Sequence, residues 1–119
     1  MSNKILVNCA HGADDIEKAT VAFIVASASA ASDNETVMFL TGEAVRLATK
    51  GGADGHQAEG YQPVKEFLDA TIENGGSLWV CPACAGARGI GADVLIAGAE
   101  LAGAARTIGF LNEGGKTIM

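Results

Sequence analysis

Apolar residues along this chain fall into short continuous runs, separated by stretches with helical spacing. Ile5-Leu6-Val7-Asn8-Cys9, Thr36-Val37-Met38-Phe39-Leu40 and Leu78-Trp79-Val80-Cys81 each have the length and composition of a buried strand. Between the first two, Ile16, Ala19, Thr20, Phe23, Ile24 and Ala28 recur at helical intervals. Asp14 stands where an N-cap belongs, with Glu17 three positions on, so a helix is predicted over 15–31, closed by Ser32-Asp33-Asn34. Thr41-Gly42-Glu43 turns the chain into a short helix over 44–48. A loop rich in glycine follows, with Gly51, Gly52, Gly55 and Gly60 around His56. Pro63 then suits the first turn of a helix whose buried face is Val64, Phe67, Leu68 and Ile72, stopped at Asn74-Gly75-Gly76.

Pro82 closes the third strand, because proline cannot continue a central ladder. A short helix is predicted over 83–88, a fourth strand at Val94-Leu95-Ile96, a helix over 100–111 and a last strand at Thr117-Ile118-Met119. Strands that are apolar throughout and alternate with helices imply a parallel sheet covered on both faces. No repeat, linker or low-complexity segment interrupts the pattern, so residues 1–119 read as one α/β domain.

Composition narrows the function classes. Nearly half of the residues are apolar but only 5% are aromatic, so the core is built of small side chains and further burial in a homo-oligomer is expected. The net charge is −6, and Lys4, Lys18, Arg46, Lys50, Lys65, Arg88, Arg106 and Lys116 are scattered. Nucleic acid and anionic membrane surfaces both need concentrated basic charge, so neither is an expected partner. The longest apolar stretch, 19–31, is interrupted by Thr20, Ser27 and Ser29, and the N-terminal run is too short for a secretory signal. A cytoplasmic location is expected. There, three cysteines serve metal, catalysis or packing rather than a disulfide framework.

Loops that leave the carboxyl ends of parallel strands carry the ligands in such folds. Three are expected here: 9–14, 41–43 and 81–88. The strongest chemical signal is Cys81-Pro82-Ala83-Cys84, at the junction of a strand and a helix. Backbone N–H groups at a helix start favour a thiolate, and Arg88 one turn later either adds positive charge or pairs with a carboxylate. Three chemistries can use such a turn. Dithiol redox has the spacing but lacks a second proline placed opposite the cysteines. Zinc binding would require Cys9, His11, Cys81 and Cys84 to converge. Persulfide chemistry needs a reactive thiolate and gains from a neighbouring thiol. Two inert buried thiols are the bland alternative. His11 either serves the site or is simply solvated. Cys9 is expected in the core and Trp79 in the core or an interface. Glu43 lines the same edge or caps a short helix, and the His56 loop either covers the site or is plain surface.

Ile5-Leu6-Val7 leading into the Gly12-Ala13-Asp14-Asp15 turn, Val37-Met38-Phe39-Leu40, and above all Val80-Cys81-Pro82-Ala83-Cys84-Ala85-Gly86-Ala87-Arg88-Gly89-Ile90 resemble the DsrE/DsrF-like (YchN-like) sulfur-relay family. The resemblance implies a three-layer α/β/α sandwich with a five-stranded, mainly parallel sheet, and trimers or hexamers. It also implies a persulfide carrier or sulfurtransferase that needs no cofactor or resident metal and works with sulfur donors and acceptors. The family's reactive cysteine maps onto Cys81 by its spacing to Gly89. Cys84 is absent from many carriers, which leaves open which thiol is the nucleophile. The expected site is therefore Cys81 and Cys84, with His11 polarising or orienting it. The competing reading is a non-catalytic oligomeric binding module whose dithiol holds metal or is inert.

Overall fold

The computed structural model describes residues 3–119. Five strands, β1 (Lys4–Cys9), β2 (Glu35–Leu40), β3 (Ser77–Val80), β4 (Ala99–Leu101) and β5 (Gly115–Ile118), form one parallel sheet in the order β4-β3-β2-β1-β5. Four α-helices connect them: α1 (Ile16–Ala31), α2 (Val64–Glu73), α3 (Pro82–Ala87) and α4 (Ala104–Asn112). The chain walks from β1 to β4 in one direction, then returns past all of them to place β5 beside β1. Crossovers of one hand put their helices on opposite faces when the direction of travel reverses. That is why α4 covers the face opposite α1 and α2, making the three-layer α/β/α sandwich.

The strand pleat divides the core accordingly. Val7, Cys9, Met38, Leu40, Leu78 and Val80 pack against Phe23, Ala26, Val64 and Leu68 of α1 and α2. Leu6, Val37 and Trp79 point to the other face and meet Phe110 of α4. That face has only one short helix over it, and aromatic bulk fills the space. Trp79 and Phe110 pack edge to face with centroids 5.7 Å apart. Arg106 lies over Trp79 at 4.5 Å and Lys4 over Phe110 at 5.3 Å. Trp79 is thus a core residue, 6% exposed.

The helix over 15–31 begins at Ile16, and its N-cap is Asp15, whose side chain accepts from the Lys18 N–H. Asp14 turns back instead and accepts the Gly12 N–H at 2.7 Å. Residues 44–48 lie within a longer 3₁₀ helix, Gly42–Ala48, rather than an α-helix.

The fourth strand is not Val94-Leu95-Ile96. Val94 ends a 3₁₀ turn, Leu95 makes one antiparallel bridge to Thr49 and is buried as a core anchor, and the strand is Ala99–Leu101. An edge strand has one partner and one solvated side, so it tolerates Glu100, which pairs with Arg106 at 2.9 Å. The more apolar tripeptide is the one that fills the core. The following helix accordingly starts at Ala104, not at residue 100. The last strand also begins earlier than residue 117, at Gly115.

Candidate functional site

The loops after β1, β2 and β3 leave neighbouring strands at the same edge. They are tied to one another by continuing the ladder: Thr41 N–H donates to Cys9 C=O and Cys81 N–H to Leu40 C=O, each at 3.0 Å. At Gly12 an added Cβ would lie 2.5 Å from the Glu43 carbonyl oxygen, so only glycine lets the first two loops touch.

Cys81 makes the last rung of β3. Pro82 has no N–H, which ends the ladder, and its fixed φ starts α3 at the first helical position. Cys81 is therefore the N-cap, and its carbonyl accepts the Ala85 N–H at 2.9 Å. Cys84 falls at the third helical position. N-cap and third-position side chains face each other, the geometry by which a capping box closes. Here the two groups are thiols, both partly exposed and neither oxidised. Burial opposes ionisation of Cys81, but the backbone N–H and the thiol of Cys84, with the Ala83 N–H, outweigh it and hold Cys81 below the usual thiol range. Cys84, by contrast, packs against the core on the α1/α2 side.

The position of Cys81 in the sheet matters as much. After β3 the chain turns toward the α1/α2 side, where Ala85 and Ile90 join that core. After the neighbouring β4 it turns toward α4 on the other side. Adjacent strands whose connections diverge open a crevice at their carboxyl ends, the usual ligand position in parallel sheets. Cys81 stands at that divergence, and Gly103 of the β4 loop lies against the Pro82 ring.

Arg88 ends α3 and pairs with a carboxylate. Its Nε donates to Glu43 at 2.7 Å and its Nη1 to the Cys84 carbonyl at 3.2 Å. Arg46 donates to the other Glu43 oxygen at 3.0 Å. Glu43 is held below the usual carboxylate range, first by Arg88, against a burial penalty, and then by Arg46. Glu43 thus lines the edge as a bracket between the second loop and the cysteine helix. The sequence placed Glu43 at this edge and allowed Arg88 a carboxylate partner, but it could not pair the two, because 45 positions separate them.

Cys9 and His11 form no metal-binding cluster with the two cysteines among the described residues. Cys9 is 4% exposed, donates to the His11 carbonyl at 3.3 Å, and is pushed up to about 11 by burial. The His11 ring nitrogen Nδ1 pairs with Asp14 at 3.0 Å. His11 lines a mostly apolar cavity of about 510 Å³ with Cys9, Val21, Tyr61 and Met119, a wall to which neither Cys81 nor Cys84 contributes. Among the described residues no three of His, Cys, Asp and Glu stand together to hold a metal ion, so the four-ligand zinc set does not assemble. The His56 loop docks on α1 instead of the cysteines, through Tyr61 Oη donating to Glu17 at 3.0 Å.

The sequence profile of the DsrE/DsrF-like family matches residues 3–119, almost the whole chain. This chain belongs to the DsrE/DsrF-like family. Among solved structures, the ychN protein from E. coli superposes with a TM-score of 0.67 at 17% identity, covering 99% of this chain and 100% of that one. At that identity the likeness speaks for the fold, and it is the fold that the DsrE/DsrF-like motif implied. Comparison with curated proteins gives no match. Among the described residues no helix is long and apolar enough to cross a membrane.

Proposed function

We propose that this DsrE/DsrF-like protein carries sulfane sulfur as a persulfide on Cys81. The observation that carries the reading is the place of Cys81 as N-cap of α3, with a second thiol one turn on, at the divergence of β3 and β4. A thiolate held there is ready to attack the outer sulfur of a donor R–S–SH. The Cys81–sulfur bond forms, the donor S–S bond breaks, and the donor leaves as a thiolate that takes up the proton. The backbone N–H groups at the start of α3 favour the persulfide anion that results as they favour the thiolate. Transfer to an acceptor thiol repeats the exchange in reverse and returns Cys81 as thiolate.

In this reading the protein acts as a sulfurtransferase with a protein-bound intermediate and needs no cofactor or metal. Its partners are sulfur donors and acceptors, proteins or small persulfides, and it works in the cytoplasm, where thiols stay reduced. It assembles with copies of itself. His11, paired with Asp14 three positions on in the loop after β1, orients that loop at the same sheet edge.

Intact mass spectra after exposure to a sulfane-sulfur donor test the reading. Wild type gains one sulfur atom, Cys81→Ser gains none, and Cys9→Ala behaves as wild type. A Cys81→Ser protein that loads as well as wild type overturns it.

A further inference from the structure

The second thiol has a geometry that single-cysteine carriers lack. Cys81 and Cys84 occupy the N-cap and third position of one helical turn, so their side chains stand at the same end of α3. Cys84 packs against the apolar core, while Cys81 is partly exposed at the end of β3 and is not part of that core cluster. A sulfur added to Cys81 lies one bond beyond Sγ, whereas Sγ itself stays at the N-cap, one turn from Cys84. The inner sulfur, Cys81 Sγ, remains the atom that Cys84 can reach. Side chains this close satisfy the separation a disulfide requires without moving the backbone far. Arg88 steadies the same turn through the Cys84 carbonyl.

We infer that Cys84 resolves the Cys81 persulfide, releasing its sulfur as hydrosulfide and leaving a Cys81–Cys84 disulfide. The inference rests on the persulfide reading above and adds the fate of the sulfur. In the step, the Cys84 thiolate attacks Cys81 Sγ. The Cys84–Cys81 bond forms, the bond from Cys81 to the outer sulfur breaks, and the outer sulfur leaves with the electron pair as HS⁻. The sulfane sulfur is reduced to sulfide, and the two cysteines supply the two electrons. A dithiol reductant of the thioredoxin or dithiothreitol class must then reopen the disulfide before another cycle. The alternative, attack on the outer sulfur, would move the persulfide to Cys84 with no net redox change and no sulfide. Attack within one helical turn is favoured over attack by free thiols because the reactants are already held together.

The test loads reduced wild type, Cys84→Ser and Cys84→Ala with glutathione persulfide and removes the donor by desalting. Protein mass and free sulfide are then followed with time. Both Cys84 variants should keep the added sulfur, with a lifetime at least about tenfold longer than in wild type. Wild type should release one sulfide per loaded chain and end two hydrogens lighter than the dithiol, with dithiothreitol restoring the starting mass and the capacity to reload. A wild-type persulfide that is as stable as in the variants, with no sulfide, overturns the resolving role while leaving the carrier intact. Absence of added sulfur in all three proteins sinks the carrier reading and the resolving role with it. Agreement between the Ser and Ala variants separates the missing nucleophile from a fault peculiar to one replacement.

Discussion

The cysteines in this chain differ by environment, not by type. Cys9 has a low-dielectric wall around it and one carbonyl to donate to, and its thiol is pushed up to about 11. Cys81 stands at the start of α3, where the Cys84 and Ala83 N–H groups outweigh the burial penalty, and is shifted the other way. The Cys9 shift has a consequence for stability. Between the ordinary thiol value of 9.0 and about 11, the unfolded chain loses the Cys9 proton while the folded one keeps it. The folded state then binds more protons, so stability falls as pH rises through that window. The loss reaches about 2–3 kcal/mol by its upper end. Urea unfolding of wild type and Cys9→Ala at pH 8 and pH 10.5 checks this: the alanine variant, destabilised at pH 8 by its cavity, should lose less on going to the higher pH. An equal loss in both would show that Cys9 does not titrate as its burial implies. The types and spacing of Cys81 and Cys84 were plain in the sequence. Their different surroundings were not, because solvent access and core packing arise only once β3 and α3 are in place.

At the scale of elements, the cysteine helix is short and relies on its neighbours. Six residues cannot hold a helix by backbone bonds alone. Ala85 anchors it in the core, and Arg88 straps its end to Glu43. Breaking the strap with Glu43→Gln should speed hydrogen exchange of the α3 amides and raise the alkylation half-point of Cys81, with Glu43→Asp restoring much of both. Unchanged exchange and alkylation in the glutamine variant would mean that the bracket does not support the site. Most strands and helices were legible as runs and periods. Those that were not share a cause. Val94-Leu95-Ile96 reads as a strand by propensity, but Leu95 is spent on filling the core with Ile96 packed against it and Val94 left exposed, while Ala99–Leu101 becomes the strand because an edge position asks little of its side chains. The 3₁₀ form of Gly42–Ala48 likewise follows from packing, with Ala44, Val45, Leu47 and Ala48 all buried beneath the site.

For the whole molecule, the accessible surface of 5901 Å² is close to the roughly 6,000 Å² expected of a folded monomer of this mass. The chain therefore closes its own core, small side chains and all, and the burial argument for an oligomer does not rest on a deficit inside. What assembly would cover is on the outside: Ile108 on α4, 55% exposed, and Ile118 and Met119 at the β5 edge, 45% and 53% exposed. Light scattering of wild type at micromolar concentration should give a multiple of the 12.0 kDa chain mass. Ile108→Asp and Ile118→Asp, made separately, should show which surface carries the contact by shifting the mass toward that of one chain. A monomeric wild type would end the expectation.

Sequence alone determined the class of fold, because a run of apolar residues of strand length can only be buried between layers, and alternation with helical periods leaves a parallel sheet as the solution. It also determined where reactive sulfur and a ladder-ending proline sit in the chain. Tertiary structure alone decided which groups meet. It left Cys9, His11, Cys81 and Cys84 without a shared metal-binding cluster among the described residues, joined Glu43 to Arg88, and set Cys81 between diverging β3 and β4 connections. The physical reason is range. Period, propensity and capping act over a few residues and can be read locally, whereas solvent exclusion and the partners of a charged side chain depend on segments far apart in the chain.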